Sequence, residues 1–591
     1  MGARMARVAT KAFGEGRIMT LTPVENFGAA LRIIDDVWAL SSANSFLGGT
    51  EHALTRLPDI GLAAIAKRAA AGRALLDRIA LIDAKSLPHD LPLTLEIARR
   101  TAERWSREEE WYWLVFDPLG AGFFAMFAPT AYCGGFFLNS FRAPLQAYRF
   151  DTAADGDRYV ALVRDYGRIV QQMLDRTVGQ AQRGIHMPRA QLEQAVPLLD
   201  SFRSGAAAIL VPDASRLTAI DAGHLLAQIE RAIAQDVTPA FDAFVAYLER
   251  DDYAAQAPTS VGLSQYPGGA EVYKTLVQLH TTLDLSPEQV HAIGLKRMAS
   301  IEMQMQALLD EAGFDGSAAE YLDKVKDDPD WRASGDEAIG AVFARYIDRI
   351  APHIDATFNF KPKAGHGVAP LAEGLTASMT FGYYSPPTPT DDLGRYNFNS
   401  PNLSQGPLNH IGALNYHELV PGHHFHLATQ DENETLHPLR RKTFINAFNE
   451  GWAEYAATLA GEMGMYPEPE ERFGRLMMDA FLTSRLVVDT GMNAFGWPLE
   501  KARNYMREKA FMPETEIRSE TVRYSCGIPG QALAYKLGDT VIHDAREKMR
   551  AALGNRFDIR DFHDAVLKPG ALPLPLLEQQ IEEQTLRIAA S

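Results

Sequence analysis

The sequence predicts a mostly α-helical protein of two lobes, with a small β element beside a cleft. Three observations predict it. Apolar residues recur at three- and four-residue spacing through most of the chain, strand signals are few, and the composition shifts near 361–367. A chain of 591 residues can bury large cores, and length alone allows two to four domains. We read 1–22 as an N-terminal extension, 23–365 as a helical lobe forming one wall of the cleft, and 366–591 as the lobe that carries the chemistry.

Residues 23–40, 60–82, 159–183 and 219–248 carry the helical repeat. Ser286-Pro287-Glu288-Gln289 then opens a helix. Ser serves as N-cap, Pro has the φ of the first helical position, and Gln stands three after the cap, where it can reach back. That helix is expected to stop near Ala312, before Gly313. Further helices are expected over 336–350, 408–429, 443–461, 472–490, 531–549 and 575–589. The clearest strand run is 377–385, containing Phe381-Gly382-Tyr383-Tyr384 and ended by Pro386-Pro387. The polar, Pro-rich stretch 385–404 reads as a loop leading into the site. Residues 113–141 are the richest apolar stretch, but Asp117, Pro118, Pro129 and several glycines interrupt them. They read as packed core or a pocket wall rather than a membrane span.

Hydrophobic content of 46% with 23% charged residues is ordinary for a soluble enzyme. A net charge of −17, from 58 basic and 75 acidic residues, argues against nucleic acid or an anionic membrane as the main partner. Two cysteines, Cys133 and Cys526, provide neither a disulfide framework nor a cysteine metal cluster. The first 22 residues contain basic side chains but no continuous apolar segment of signal-peptide length, so a cytoplasmic location is expected.

The chemistry concentrates in His417-Glu418-Leu419-Val420-Pro421-Gly422-His423-His424, followed by Glu450. In a helical zinc site, His-Glu-x-x-His places two imidazoles one turn apart, and the Glu activates the bound water. Here the fourth position after His417 is Pro421. In a regular helix six residues rise about 9 Å and turn about 600°, which points His417 and His423 apart. His424 returns to the same face but lies about 10.5 Å along the axis, too far to share an ion with bonds of ~2 Å. An undistorted helix therefore cannot make the site. The sequence supplies a distortion: Pro421 lacks an N–H and clashes with the carbonyl of His417, and Gly422 tolerates unusual dihedrals. Removing two residues restores the register with His423 as second ligand, which predicts a zinc helix with a two-residue bulge at Pro421-Gly422. His417, His423 and Glu450 would then bind Zn²⁺ and leave a position for water. Glu418 would be the general base. His424 remains open as an alternative ligand or as a hydrogen-bond partner of one. Glu454, one turn after Glu450, could hold a histidine's outer nitrogen or be a plain surface carboxylate. His426 is expected to be peripheral.

Tyr416-His417-Glu418-x-x-Pro421-Gly422-His423-His424 and Glu450-Gly451-Trp452-Ala453-x-Tyr455 resemble the signature blocks of the bacterial "domain of unknown function 885" proteins. The resemblance extends to Tyr273 and His280-Thr281-Thr282, Ser286-Pro287-Glu288 with His291 and Gly294, Arg485-Leu486-Val487-Val488-Asp489-Thr490-Gly491, Arg523-Tyr524, and Pro529-Gly530-Gln531-Ala532-Leu533-Ala534-Tyr535-Lys536. It implies a zincin-like metallopeptidase fold, distantly similar to the thimet-oligopeptidase and thermostable-carboxypeptidase groups. It also implies an edge strand near 377–385 that pairs with substrate backbone, with Tyr383 and Tyr384 lining it. Tyr535 is implied as the oxyanion-stabilising phenol, with Arg523 and Tyr524 as alternative substrate contacts. Asn493, Ala457 and His426 depart from the family pattern. Tyr273 and His280 receive no role, and Arg485 with Asp489, four apart, is expected to form a structural ion pair. The expected function is a zinc peptidase acting on short peptides or peptide-like amides. Two rivals stand beside it: a non-haem iron oxygenase, which also uses two His and one carboxylate, and a non-catalytic peptide-binding protein.

Overall fold

Ser286 accepts a hydrogen bond from the Gln289 N–H at 3.3 Å, and the Gln289 side chain accepts one from the Ser286 N–H at 2.8 Å. This capping box starts the helix Pro287–Glu311 where the sequence places it. The computed structural model describes residues 21–42, 54–88, 90–118, 120, 122, 124–371, 381–388 and 391–590. Among them the protein is mostly helical with one small sheet. Helices Pro23–Ser42, Leu62–Ile79, Asp336–Ile350 and Leu574–Ala590 lie within a few residues of the expected positions. Ala153–Ala181 starts earlier than expected because Thr152 and Asp155 form another capping box. Residues 222–248 are helical throughout, with Ile233–Val237 widened to a π turn just before Pro239, whose ring nitrogen offers no N–H to the ladder. Leu91–Trp111 and Arg189–Leu210 were not legible as helices. The first hides a narrow apolar stripe among many charges, and the second contains Pro197.

The expected helix over 408–429 is instead two helices, Ile411–Glu418 (α1) and His423–Glu432 (α2). Three longer helices complete the site: Asn446–Glu462 (α3), Pro469–Asn493 (α4) and Ala534–Leu553 (α5). α3 and α5 touch backbone to backbone. A Cβ on Gly538 would lie 1.9 Å from the carbonyl oxygen of Ala447, and one on Gly451 would lie 2.5 Å from Gly538. No side chain fits at this crossing.

The sheet has three strands in the order β1-β3-β2, with Gly365–Pro370 (β1) parallel to the central Leu393–Phe398 (β3) and Gly382–Ser385 (β2) antiparallel to it. β2 is an edge strand within the expected run, whose residues 377–380 lie outside the described residues. The expected loop 385–404 is corrected, because it contains β3. There Gly394, Tyr396 and Phe398 are buried and alternate with more exposed neighbours, a period-two pattern masked in the sequence by surrounding Pro, Asp and Asn. Tyr396 and Phe398 pack on Phe343 of Asp336–Ile350 at ring distances of 5.4 and 5.5 Å. The main apolar core runs from Leu57 to Ile581 and takes residues from both sides of position 365. It includes Val115, Phe116, Phe124, Met126, Cys133 and Phe137, so the 113–141 stretch is core. Cys133 and Cys526 are free and buried. Among the described residues no helix is long and apolar enough to cross a membrane.

Candidate metal centre

α1 ends because the backbone leaves helical dihedrals at Leu419 (φ −109°, ψ −110°) and again at Gly422 (φ −81°, ψ −126°). The Phe425 N–H then donates to the carbonyl of Leu419 at 3.4 Å, six residues back where a regular helix reaches four. His426 resumes the four-residue ladder, donating to Gly422 at 3.2 Å. Two residues are thus extruded and the register of His417 and His423 is recovered, although the break is deep enough to divide the helix. A Cβ on Gly422 would stand 1.9 Å from the His417 carbonyl oxygen. Trp452 braces the break from α3, donating its indole N–H to the Pro421 carbonyl at 2.9 Å. Gly422→Ala should therefore cost about 1–3 kcal/mol of stability and disturb the spacing of the two histidines. Thermal denaturation with and without zinc checks this; an unchanged Tm in both conditions would contradict it.

His417, His423 and Glu450 are buried, and one ligand atom from each lies within 4.8 Å of the others. Oε2 of Glu450 stands 3.3 Å from Nε2 of His423 and 3.6 Å from Nε2 of His417, yet forms no well-directed hydrogen bond. On the far side of His417, Nδ1 is 2.9 Å from Oε1 of Glu454. A carboxylate there fixes the proton on Nδ1 and turns the Nε2 lone pair toward the cluster. Burial alone would raise the carboxyl of Glu450, but His417 and His423 outweigh it and hold the group well below the usual range. Glu418 is half-buried beside these three. Burial pushes its carboxyl up against the pull of His417 and His423, and the charge of Glu450 adds to the rise. A buried carboxylate oxygen without a partner, between two imidazole nitrogens, fits a divalent cation. Nitrogen and oxygen donors of this kind suit zinc and also iron.

The profile of a family described as bacterial protein of unknown function (DUF885) matches residues 42–581. The chain belongs to this family. No curated protein matches it. Among solved structures, this DUF885 protein resembles a candidate lipoprotein from Colwellia psychrerythraea at 24% identity and a TM-score of 0.78, over 95% of this chain and 98% of that one. It also resembles a candidate lipoprotein of unknown function from Shewanella oneidensis at 17% identity and a TM-score of 0.70, over 95% of this chain and 99% of that one. Both likenesses are likenesses of fold.

The remaining expected residues divide between the centre and the frame. His424 is not among the three converging groups. Its Nε2 donates to the Ala364 carbonyl at 3.1 Å, which leaves Nδ1 to accept from the Tyr384 hydroxyl at 2.9 Å. His426, expected at the periphery, is 2% exposed. Its ring lies 6.1 Å from that of His423 and 5.7 Å from that of Phe448, because this face of α2 packs on α3. Tyr535 lies nearly parallel to the ring of His417 at 6.1 Å and 12°. Burial pushes its phenol up to about 12, with Glu450 adding and Arg523 and Arg485 opposing. Tyr383 stands partly exposed on the edge strand. Arg523 donates to Glu520 and, at 2.7 Å, to Gln531, and its guanidinium stands 4.7 Å over the Tyr132 ring. Tyr524 is wholly buried and its hydroxyl donates to Glu520. Arg485 and Asp489 do not pair with each other. Arg485 bonds Glu520 at 3.1 Å, while Asp489 accepts from the Tyr273 hydroxyl at 2.7 Å, the Gly530 N–H at 3.0 Å and Asn493 at 3.1 Å. Tyr273 thereby ties its helix to α4, and Asn493, itself in α4, reaches outward by accepting from the Leu263 N–H at 3.0 Å and donating to the Tyr524 carbonyl at 2.9 Å. His280 is likewise buried, with Nδ1 2.9 Å from the Asn446 amide nitrogen. Sequence reasoning missed Arg475 and Lys536, each 3.2 Å from Oε2 of Glu454. Their one signal was the place of Lys536 next to Tyr535 in a family block.

Proposed function

We propose that this chain is a zinc-dependent hydrolase, a peptidase acting on short peptides or peptide-like amides. One observation carries the reading: two imidazoles and an unpartnered carboxylate oxygen converge, with a further carboxyl, Glu418, beside them. Zinc held by His417, His423 and Glu450 supplies Lewis acidity, which polarises a scissile carbonyl and brings the pKa of water toward about 7. Glu418 takes the proton from the attacking water and passes it to the leaving amine. Its burial suits this work, since a raised pKa makes the carboxyl both a better base and a usable acid. Tyr535, whose phenol keeps its proton at neutral pH, donates to the developing oxyanion. The edge of β2 left unpaired among the described residues offers backbone groups to an extended substrate, with Tyr383 beside it, while Tyr384 is held by His424. Arg523 remains a candidate contact through its incompletely bonded guanidinium. A zincin-like classification of the fold belongs to the same proposal.

The test is metal content by plasma mass spectrometry on the wild-type chain and on the His423→Ala and His424→Ala variants. About one zinc per chain is expected in the wild type. His424→Ala should retain it and His423→Ala should lose it. Loss in His424→Ala alone would transfer the ligand role and break the assignment of the bulge. Iron with oxygen-dependent turnover would replace hydrolysis by oxygenase chemistry. Stoichiometric zinc with peptide binding but no cleavage of a peptide library would leave a binding protein.

A further inference from the structure

Lys536 is 1% exposed. A buried ammonium is costly unless fully paired, and this one is bonded by three carboxylates: Asp539 at 2.6 Å, Asp479 at 2.8 Å and Glu454 at 3.2 Å. Arg475 reaches the same oxygen of Glu454, and Arg297 bonds Asp539 at 3.3 Å and lies 3.6 Å from Asp479. Three cations and three carboxylates thus balance inside the protein, where α3, α4, α5 and the helix Pro287–Glu311 meet. The side-chain-free crossing of Gly451 and Gly538 brings these charges together. Lys536 lies two residues before Gly538, and Glu454 lies three after Gly451.

The placement matters because the two oxygens of Glu454 do different things. Oε2 accepts from Lys536 and Arg475, and Oε1 faces Nδ1 of His417. With Oε2 held by two cations, the carboxylate cannot rotate or move away, and Oε1 stays directed at the imidazole. The same ammonium also fixes the start of α5, where Tyr535 lies against the other side of His417.

We propose that Lys536 is a positioning residue for the metal centre: through Glu454 it holds His417 in the orientation and tautomer that direct Nε2 at the ion. The proposal rests on the reading of His417, His423 and Glu450 as a metal centre and adds a residue that touches none of the three. Outer partners of metal-bound histidines typically contribute about 10–100-fold to metal affinity. Lys536→Met should therefore weaken zinc binding about 10–100-fold.

A double-mutant cycle on the zinc dissociation constant, measured on the full chain by chelator competition, tests the route as well as the effect. Glu454→Gln should weaken binding by a similar factor. If Lys536 acts through Glu454, the double variant should be no weaker than Glu454→Gln alone. Factors that multiply would overturn the proposal, as would unchanged affinity in Lys536→Met. Should Lys536→Met fail to fold, Lys536→Met/Asp539→Asn keeps the net charge of the buried cluster and should show the same loss. Absence of zinc binding in the wild type would instead sink the metal-centre reading itself, an outcome distinct from a Lys536 variant that binds as tightly as the wild type.

Discussion

Glu418→Gln is expected to lower kcat by about 10²–10⁴-fold, the range that a positioned general base contributes, with metal content and Tm unchanged. The side chain follows His417 directly but is not one of the three groups whose ligand atoms converge. Glutamine keeps the shape and loses the ability to accept a proton. In the metal-free chain burial pushes the Glu418 carboxyl up and the charge of Glu450 pushes it further, whereas a bound dication pulls it down, so the acid limb of the wild-type rate profile marks the balance between them. Activity is lost as pH falls through the Glu418 pKa of the metal-bound enzyme, since a protonated Glu418 cannot take the water proton. The substrate should still bind, so KM should change far less than kcat. Undiminished kcat would remove Glu418 from the mechanism. Loss of metal in the variant would make Glu418 a ligand instead of a base.

The part of this site that could be read from the sequence is the part governed by local geometry. His417 and His423 followed from counting helical turns, noticing that Pro421 breaks the ladder, and deleting two residues, whereas Glu450 entered as the carboxylate of the following Glu450-Gly451-Trp452-Ala453 block. The six-residue hydrogen bond from Phe425 to Leu419 is the physical form of that deletion. The outer partners were less legible because they come from distant helices. Glu454 could be nominated by its one-turn spacing from Glu450. Arg475 and Lys536 reach it from α4 and α5, and no spacing within one helix predicts that meeting. The burial of Tyr524 was illegible for the same reason, since its neighbourhood in sequence does not record that Glu520 and Arg485 close over it. The sheet was half legible. The aromatic run marked β2, whereas β3 lies among loop-forming residues and is defined by Phe343 packing against it. β3, Arg475 and Lys536, which tertiary contact places, were not found.

Zinc affinity should rise about tenfold per pH unit between about pH 7 and 9, as expected when one proton is displaced on binding. In the metal-free chain the imidazole of His417 lies between Glu450 and Glu454. Burial opposes its charge, but the neighbouring carboxylates prevail and push it up to about 10. A protonated His417 cannot ligate, so zinc must displace its proton at neutral pH. The sign for stability runs the other way. The folded value lies above the ordinary histidine value of about 6.5, so this group's contribution to the metal-free fold is fully present below about pH 6.5 and is lost as pH rises through about 10. The Tm of the metal-free chain should therefore fall across this window, while the stabilisation gained by adding zinc, which grows with the ratio of free zinc to Kd, should increase. Chelator competition and thermal denaturation at pH 7, 8 and 9 read both trends on one sample. A zinc affinity that does not change with pH would mean that His417 is already neutral without metal, and that Glu450 and Glu454 do not jointly hold its proton. A slope near two would mean that a second proton leaves the site on binding, so that another group of the centre is also charged before the metal arrives.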